Sequence, residues 1–211
     1  MNTAQQARLD TAPVYNKDAV KKKQHILDPD VELIERTARG DEQAFEQIMA
    51  KYERAVFNTI YRYIGNYDDV EDIAQEVFLR VWRHAGKFKG RSKFSTWLYR
   101  ITANRCLTYR SKHKQPPISL DNMVEKGMIP DSLKTQTDIL QRERVRVIQQ
   151  ALDELPERQR MALVLCQYDG LSYKEIASAM KVSVSSVESL IFRARTALRK
   201  RFDILRKQGR L

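Results

Sequence analysis

Glycine and proline are scarce in this 211-residue chain, at 7 and 6 residues. Turn-rich sandwiches and barrels need more breakers than that, so the shortage favours long helices. Cysteine is scarcer still. Cys106 and Cys166 stand apart with no CxxC partner, which speaks against a disulfide framework or a zinc site and leaves buried thiols as core filling. His25, His84 and His113 sit beside no nucleophile and no metal-ligand spacing, and no catalytic constellation is visible. The expectation is a protein that is not an enzyme and carries no cofactor and no metal. The longest uninterrupted apolar run, Met161 to Cys166, is far shorter than the roughly 20 residues a membrane span needs. Met1 to Ala12 is polar and lacks the apolar core of a secretion signal, so the expected location is the cytoplasm.

The most informative shortage is local. Between Lys87 and Lys114 there is no Asp or Glu, while Lys87, Lys89, Arg91, Lys93, Arg100, Arg105, Arg110, Lys112 and Lys114 all fall there. Phe88, Phe94, Trp97, Tyr99 and Tyr109 are interleaved with them. Cations displace the counterions condensed on a polyanion, and flat rings offer bases a surface to stack on. A solvated basic face is the plain alternative for such a charge run. Just upstream, Asp68 to Glu76 is acidic, which implies two adjoining faces with different partners. The net charge of +11 points the same way, toward nucleic acid or an anionic surface.

With 42% hydrophobic and 31% charged residues, the chain can bury a core in one medium domain or two small ones. No strand pattern occurs, so the expected class is all-α: two small helical domains joined by a flexible linker. Residues 1–27 lack a sustained period, include Lys21-Lys22-Lys23, and read as a flexible basic extension. The first domain spans 28–114. Asp28-Pro29 opens its first helix, which ends at Gly40. A second starts at Asp41 with Phe45, Ile48, Met49, Tyr52, Val56, Ile60 and Ile64 in one stripe, and stops at Gly65-Asn66. A third opens at Asp68, burying Ile73, Val77 and Val81 with Ala74, Phe78 and Trp82, and leaving Asp72, Gln75, Glu76 and Leu79 opposite. After a loop at 87–93, a fourth helix over Phe94 to Lys112 turns Phe94, Trp97, Leu98, Ile101 and Leu107 inward and sets Arg100, Asn104 and Thr108 on one line. Residues 115–138, broken by Pro116, Pro117, Gly127 and Pro130, read as the linker.

The second domain spans 139–211. One helix ends at Leu155-Pro156, and the next supplies Met161, Leu163, Val164 and Leu165 to the core. Ser172 followed by Glu175 forms a capping box. Ala177 is small enough for a close helix crossing, Met180-Lys181-Val182 makes a tight turn, and Ser183 caps a further helix from Val184 to about Phe202. Two helices so joined form a helix-turn-helix, whose second helix enters the major groove. Ser172 at the head of the first helix, and Ser185, Ser186, Glu188, Ser189, Phe192, Arg193 and Arg195 on the second, are its candidate DNA contacts.

Three stretches resemble a known family. Asp68 to Trp82 is similar to the polymerase-binding helix of sigma factors of the sigma-70 family, in the small extracytoplasmic-function (ECF) group. Phe88 to Asn104 resembles that group's promoter-melting loop and the helix after it. Leu155 to Arg160, Gly170 to Ala177 and Val187 to Arg195 resemble the domain that reads the upstream promoter element. The resemblance covers roughly 28–201. It implies that Asp72, Gln75, Glu76 and Leu79 dock on a coiled coil of the largest polymerase subunit, with the polymerase flap as a further contact. It implies that Lys89, Arg91, Ser92 and Lys93 capture a flipped base of the −10 element, with Trp97, Arg100, Asn104, Arg105 and Thr108 on the helix facing it. It implies −35 recognition by the helix-turn-helix, and control by an anti-sigma factor that is often membrane-anchored. Many relatives carry a basic residue where this chain has Glu188, so the −35 sequence does not transfer from them. No small-molecule substrate is expected.

The competing reading is a free-standing helix-turn-helix regulator whose N-terminal half dimerises or binds a ligand. It has no need of an exposed row of Asp72, Gln75 and Glu76. A DNA-processing enzyme is disfavoured by the lack of clustered acids in the basic region.

Overall fold

A computed structural model describes residues 28–113 and 147–209. All regular structure among them is helical. The first half contains α1 (Asp30–Ala38), α2 (Glu42–Ile64), α3 (Tyr67–His84), a 3-10 turn at Ala85–Lys87 and α4 (Phe94–Lys112). The second half contains a helical stretch at 147–153 (α5), then α6 (Glu157–Gln167), α7 (Tyr173–Met180) and α8 (Val184–Lys207). The extension at 1–27 and the linker at 115–138 lie outside the described residues, as does the expected resumption of helix at Ile139.

Local chemistry sets the helix ends. The Asp41 carboxylate accepts from the Ala44 amide at 3.0 Å and starts α2. Gly65, at φ 81°, ends it, donating its N–H to the Tyr61 carbonyl at 2.7 Å. Asn66 caps α3 one residue earlier than its acids suggest. The Asp28 side chain does two things at once. One oxygen accepts from the Asp30 amide at 3.1 Å and the other from the Phe94 amide at 2.5 Å, so a single carboxylate caps α1 and α4. The last helix exceeds its expected length, running to Lys207 where Phe202 was the expected end. No glycine or proline interrupts 203–207, and Leu205 is buried, which extends the helix.

The inward residues of α3 are as expected: Ile73, Ala74, Val77, Phe78 and Val81 are buried, and Trp82 packs on Phe45 with ring centroids 5.1 Å apart. The inward face of α4 differs. Thr96, Thr102, Ala103 and Cys106 are buried beside Phe94 and Leu98, while Trp97, Ile101 and Leu107 are half-buried. This helix has neighbours on several sides: α2, α3, α6 and α7 all pack against it. A helix surrounded in this way shows no single apolar stripe. The Thr102 hydroxyl is satisfied within the helix, donating to the Leu98 carbonyl at 3.1 Å.

The two halves share one core. Met161, Leu165, Ile176, Val187 and Ile191 belong to the same buried cluster as Ile60, Tyr63, Leu98 and Cys106. At its centre lies the fully buried side chain of Arg160. Its Nε donates to the Leu152 carbonyl at 2.7 Å, its Nη1 to the Tyr63 carbonyl across the seam at 2.7 Å, and its Nη2 to the Asp153 carboxylate. Arg110 reaches Asp153 and the Tyr63 carbonyl from α4, at 3.2 and 3.3 Å. Removing the guanidinium strips the Leu152 carbonyl of its donor, typically costing about 1–3 kcal/mol, while Arg110 still faces Asp153 and the Tyr63 carbonyl. Arg160→Met is therefore expected to destabilise the protein by about that much, read as the fall in urea unfolding free energy. A loss under about 1 kcal/mol, the scale of an ordinary surface substitution, would show that the network does not hold the seam.

Candidate nucleic-acid interface

Three surfaces carry the residues singled out by sequence. The first is a stripe on α3. Asp72, Gln75, Glu76 and Leu79 stand three and four residues apart, which places them on one helix face. Asp72 and Gln75 are exposed, Leu79 is 49% exposed, and the Glu76 side chain is 44% exposed. An exposed leucine among acceptors suits a protein partner better than water.

The second surface is the loop before α4 and the outer line of that helix. Lys89, Arg91 and Lys93 are exposed and Ser92 is half-buried. The base of the loop is aromatic. Phe88 lies 5.6 Å from Trp97 and 6.0 Å from Phe94, and Phe94 is 5.4 Å from Tyr52, centroid to centroid. Trp97 thus braces the loop from below. Edge-to-face packing of this kind holds the loop's shape while its cations stay in solvent. Asn104 and Thr108 are exposed and Arg100 is half-buried. Thr108 donates its hydroxyl to the Asn104 carbonyl at 2.8 Å, which leaves that oxygen able to accept. Arg105 turns the other way. Its side chain is 16% exposed, and its Nη2 donates to Glu76 Oε1 at 2.5 Å with Nε facing Oε2. The sequence reading groups Arg105 with the promoter residues; the structure joins it to the acidic stripe.

The third surface is the helix-turn-helix. Ser172 and Glu175 make both bonds of the capping box, with Ser172 N to Glu175 Oε2 at 2.9 Å and Glu175 N to Ser172 Oγ at 3.3 Å. These bonds hold the Glu175 carboxyl below the usual range. The Ser172 hydroxyl is committed to the cap. Lys181 takes the left-handed conformation at φ 54° and makes the turn. Ser183 caps α8 by accepting from the Ser186 amide at 3.1 Å, and its hydroxyl meets those of Ser185 and Ser186 at 3.0 and 2.7 Å. Ser185, Glu188, Ser189, Phe192, Arg193 and Arg195 are all exposed, Phe192 at 72%. Val187, Ile191 and Ala194 bury the opposite face. A groove of about 950 Å³ opens between α5, α6 and α8, lined by Ile148, Leu163, Tyr168, Leu198 and Phe202, with Arg195 at its edge shared with the helix-turn-helix surface.

These surfaces do not stand apart in space. Lys93 Nζ is 3.3 Å from Glu175 Oε1, so the basic loop touches the helix-turn-helix, and α7 packs along α4. Deeper in the seam, Thr59 donates to Asp169 Oδ1 at 2.9 Å, while Asp169 Oδ2 is buried with no hydrogen-bond partner among the described residues. Sequence reasoning missed the roles of Asp169, Arg160 and Asp153 and the second bond of Asp28, all of which reach residues distant in the chain.

Burial raises the Asp169 carboxyl to about 6, against the lowering effects of the Thr59 hydrogen bond and the Arg62 charge; Tyr99 and Cys106 are further titratable groups that feel it. The packed state therefore holds the proton more tightly than an open chain does. The contribution of Asp169 to packing is full below the ordinary carboxylate value and is lost as pH rises from about 4 to about 6. In urea titrations between those limits, the stability of the native protein relative to Asp169→Asn should fall with rising pH by an amount on the order of 2 kcal/mol. A constant difference would remove Asp169 from the seam's pH response.

Comparison with known proteins identifies the family of both halves. Residues 48–115 match the family described as Sigma-70 region 2, and residues 146–198 match Sigma-70, region 4. The chain is 34% identical over 187 residues to the RNA polymerase sigma-H factor of Pseudomonas aeruginosa, covering 85% of this chain and 97% of that protein. It is 36% identical over 173 residues to the ECF RNA polymerase sigma-E factor of Escherichia coli, covering 79% and 90%. Among solved structures, it is similar to CnrH in complex with the cytosolic domain of CnrY, with a TM-score of 0.63 and 26% identity over 83% of this chain and 97% of that one.

Proposed function

Since this chain belongs to the sigma-70 family of RNA polymerase sigma factors, in the ECF group, we propose that its three exposed surfaces divide the work of promoter-specific initiation among core polymerase, the −10 element and the −35 element. A sigma factor binds core RNA polymerase, directs it to promoters and is not itself an enzyme. The observation that carries the division is the placement of two exposed faces on adjacent helices of one half: an acceptor row with Leu79 on α3, and a cationic loop with Asn104 and Thr108 on and before α4.

Asp72, Gln75 and Glu76 offer acceptors to a basic coiled coil of the largest subunit, and Leu79 offers it an apolar contact. The groove beside Phe202 takes the polymerase flap. Lys89, Arg91 and Lys93 hold the −10 phosphates, while the loop braced by Phe88 and Trp97 receives an unstacked base. Its pocket offsets the few kcal/mol that unpairing costs. Asn104 presents an amide, and Thr108 an acceptor, to the neighbouring bases. On α8, Arg193 and Arg195 set the register on phosphates, and Ser189, Glu188 and Phe192 face base edges, Glu188 accepting from a cytosine amino group.

The packed halves form a holding state. Lys93 is paired with Glu175, and α7 lies along α4, so engagement of two separated promoter elements requires the seam to open. An anti-sigma factor suits this arrangement, since a partner that covers α3 or clamps both halves keeps the factor from polymerase. The similar protein CnrH is seen with the cytosolic domain of a second protein. Among the described residues no helix is long and apolar enough to cross a membrane, in keeping with action on DNA in the cytoplasm.

Transcription from genomic promoter fragments by sigma-free core polymerase tests the reading: specific transcripts are expected only when the protein is added. Failure at every salt concentration, with the protein alone footprinting duplex DNA, would favour a free-standing regulator. Within that assay, Glu76→Lys should weaken core binding about tenfold or more by reversing a charge at the interface. Asn104→Ala should retain core binding and reduce open-complex formation, read with permanganate. Equal loss of both activities in Asn104→Ala would indicate a structural role for the amide.

A further inference from the structure

The Glu76–Arg105 pair crosses the boundary between the two faces of the first half. Glu76 sits in the acceptor row on α3, and Arg105 sits on the helix whose outer line faces promoter DNA. The guanidinium lies along both carboxylate oxygens: Nη2 donates to Oε1 at 2.5 Å, while Nε is in ion-pair contact with Oε2 without a hydrogen bond of its own. A planar fork on a carboxylate fixes its orientation as well as its charge.

The exposures are unequal, and that decides which member is available. Arg105 is 16% exposed and Glu76 is 44% exposed. A DNA phosphate needs an accessible cation, and Arg105 is mostly covered. Glu76 keeps part of its carboxylate open after binding the fork, since each oxygen has two acceptor positions. A docking partner can therefore bond the outer side of Glu76 while Arg105 grips the inner side. Without the fork, Glu76 on its exposed helix face would sample several rotamers and lose that freedom on binding.

We infer that Arg105 is a positioning residue for polymerase docking, holding the Glu76 carboxylate for the partner's cation, and that it makes no phosphate contact with the promoter. This rests on the assignment of α3 to polymerase. It takes one cation out of the promoter face and leaves readout on that helix to Asn104, Thr108 and Arg100.

The test uses the full chain with sigma-free Escherichia coli core polymerase. Core affinity is measured for the native protein, Glu76→Gln, Arg105→Met, Arg105→Lys and the double variant Glu76→Gln/Arg105→Met. Arg105→Met is expected to weaken core binding about tenfold, and the double variant to bind within about twofold of Glu76→Gln alone, because coupled residues lose their shared effect only once. The salt dependence of holoenzyme binding to a promoter fragment supplies the second readout. A lost phosphate contact lowers the slope by about one, so an unchanged slope in Arg105→Met is expected. Should Arg105→Met fail to fold, Arg105→Lys carries the test, since an ammonium keeps the charge without the fork and should also weaken core binding. Native core affinity in the Arg105 variants, with Glu76→Gln impaired, would overturn the inference and spare the docking face. A slope shallower by about one would overturn it in favour of a DNA contact. If Glu76→Gln binds core normally, the docking assignment falls and the inference with it.

Discussion

The buried guanidinium of Arg160 is the interaction on which the arrangement of the two halves depends. A buried guanidinium is best tolerated when each of its nitrogens has an acceptor and a counter-charge is near. Arg160 meets that condition with groups from both halves: the Leu152 carbonyl and Asp153 on its own side, and the Tyr63 carbonyl at the end of α2. Arg110 reinforces the same two acceptors from α4. The Tyr63 ring is flanked by both guanidiniums, each with its central carbon 5.8 Å from the ring centroid. Separation of the halves thus exposes apolar surface, leaves a carbonyl to water, and removes one of the three acceptors that Arg160 uses.

A polar seam of this kind has a different character from a purely apolar one. Apolar contact alone tolerates sliding, whereas the Arg160 fork and the Thr59–Asp169 bond fix the register of α6 and the following turn on α2. They also make opening less costly than the burial suggests, because water can replace each hydrogen bond that breaks. The seam thus combines one defined packed state with hydrogen bonds that water can take over on opening. The exposed Lys93–Glu175 contact lies at the rim of this seam and adds little by itself.

Much of this was legible in the sequence where the deciding forces are local. The Ser172–Glu175 box, the Ser183 cap, the stop at Gly65 and the buried stripe of α3 follow from spacing, and each stands where spacing puts it. The exposed row on α3 was legible because its buried complement, Ile73, Val77 and Val81, has an unambiguous period. What escaped was long-range or polar. Arg160 reads in sequence as one more charge in a charged motif, and only the carbonyl of Tyr63, far along the chain, makes it a core residue. Asp28 reads as the cap of one helix, and its second bond, to Phe94, has no local signature. The inward face of α4 was only partly read, because a helix packed on several sides buries threonines that a search for apolar stripes passes over.

The same limit applies to the charge contrast between α3 and α4. In sequence the acid-free stretch and the acidic helix look like two separate devices, and their net charges invite assignment to two separate partners. In the structure they are tied by the Glu76–Arg105 fork, so the orientation of an acceptor on one face depends on a cation from the other. Counting cations in the stretch therefore overstates what is offered to DNA. The basic charge that remains in solvent is concentrated in the loop at Lys89, Arg91 and Lys93, braced by rings and pinned by Asp28 at the start of α4. In the proposed division of surfaces, affinity for the DNA backbone belongs to that loop. On the same proposal selectivity falls to the few neutral groups beyond it, while Arg105 and Arg110 pair with acids of the acidic face and the seam.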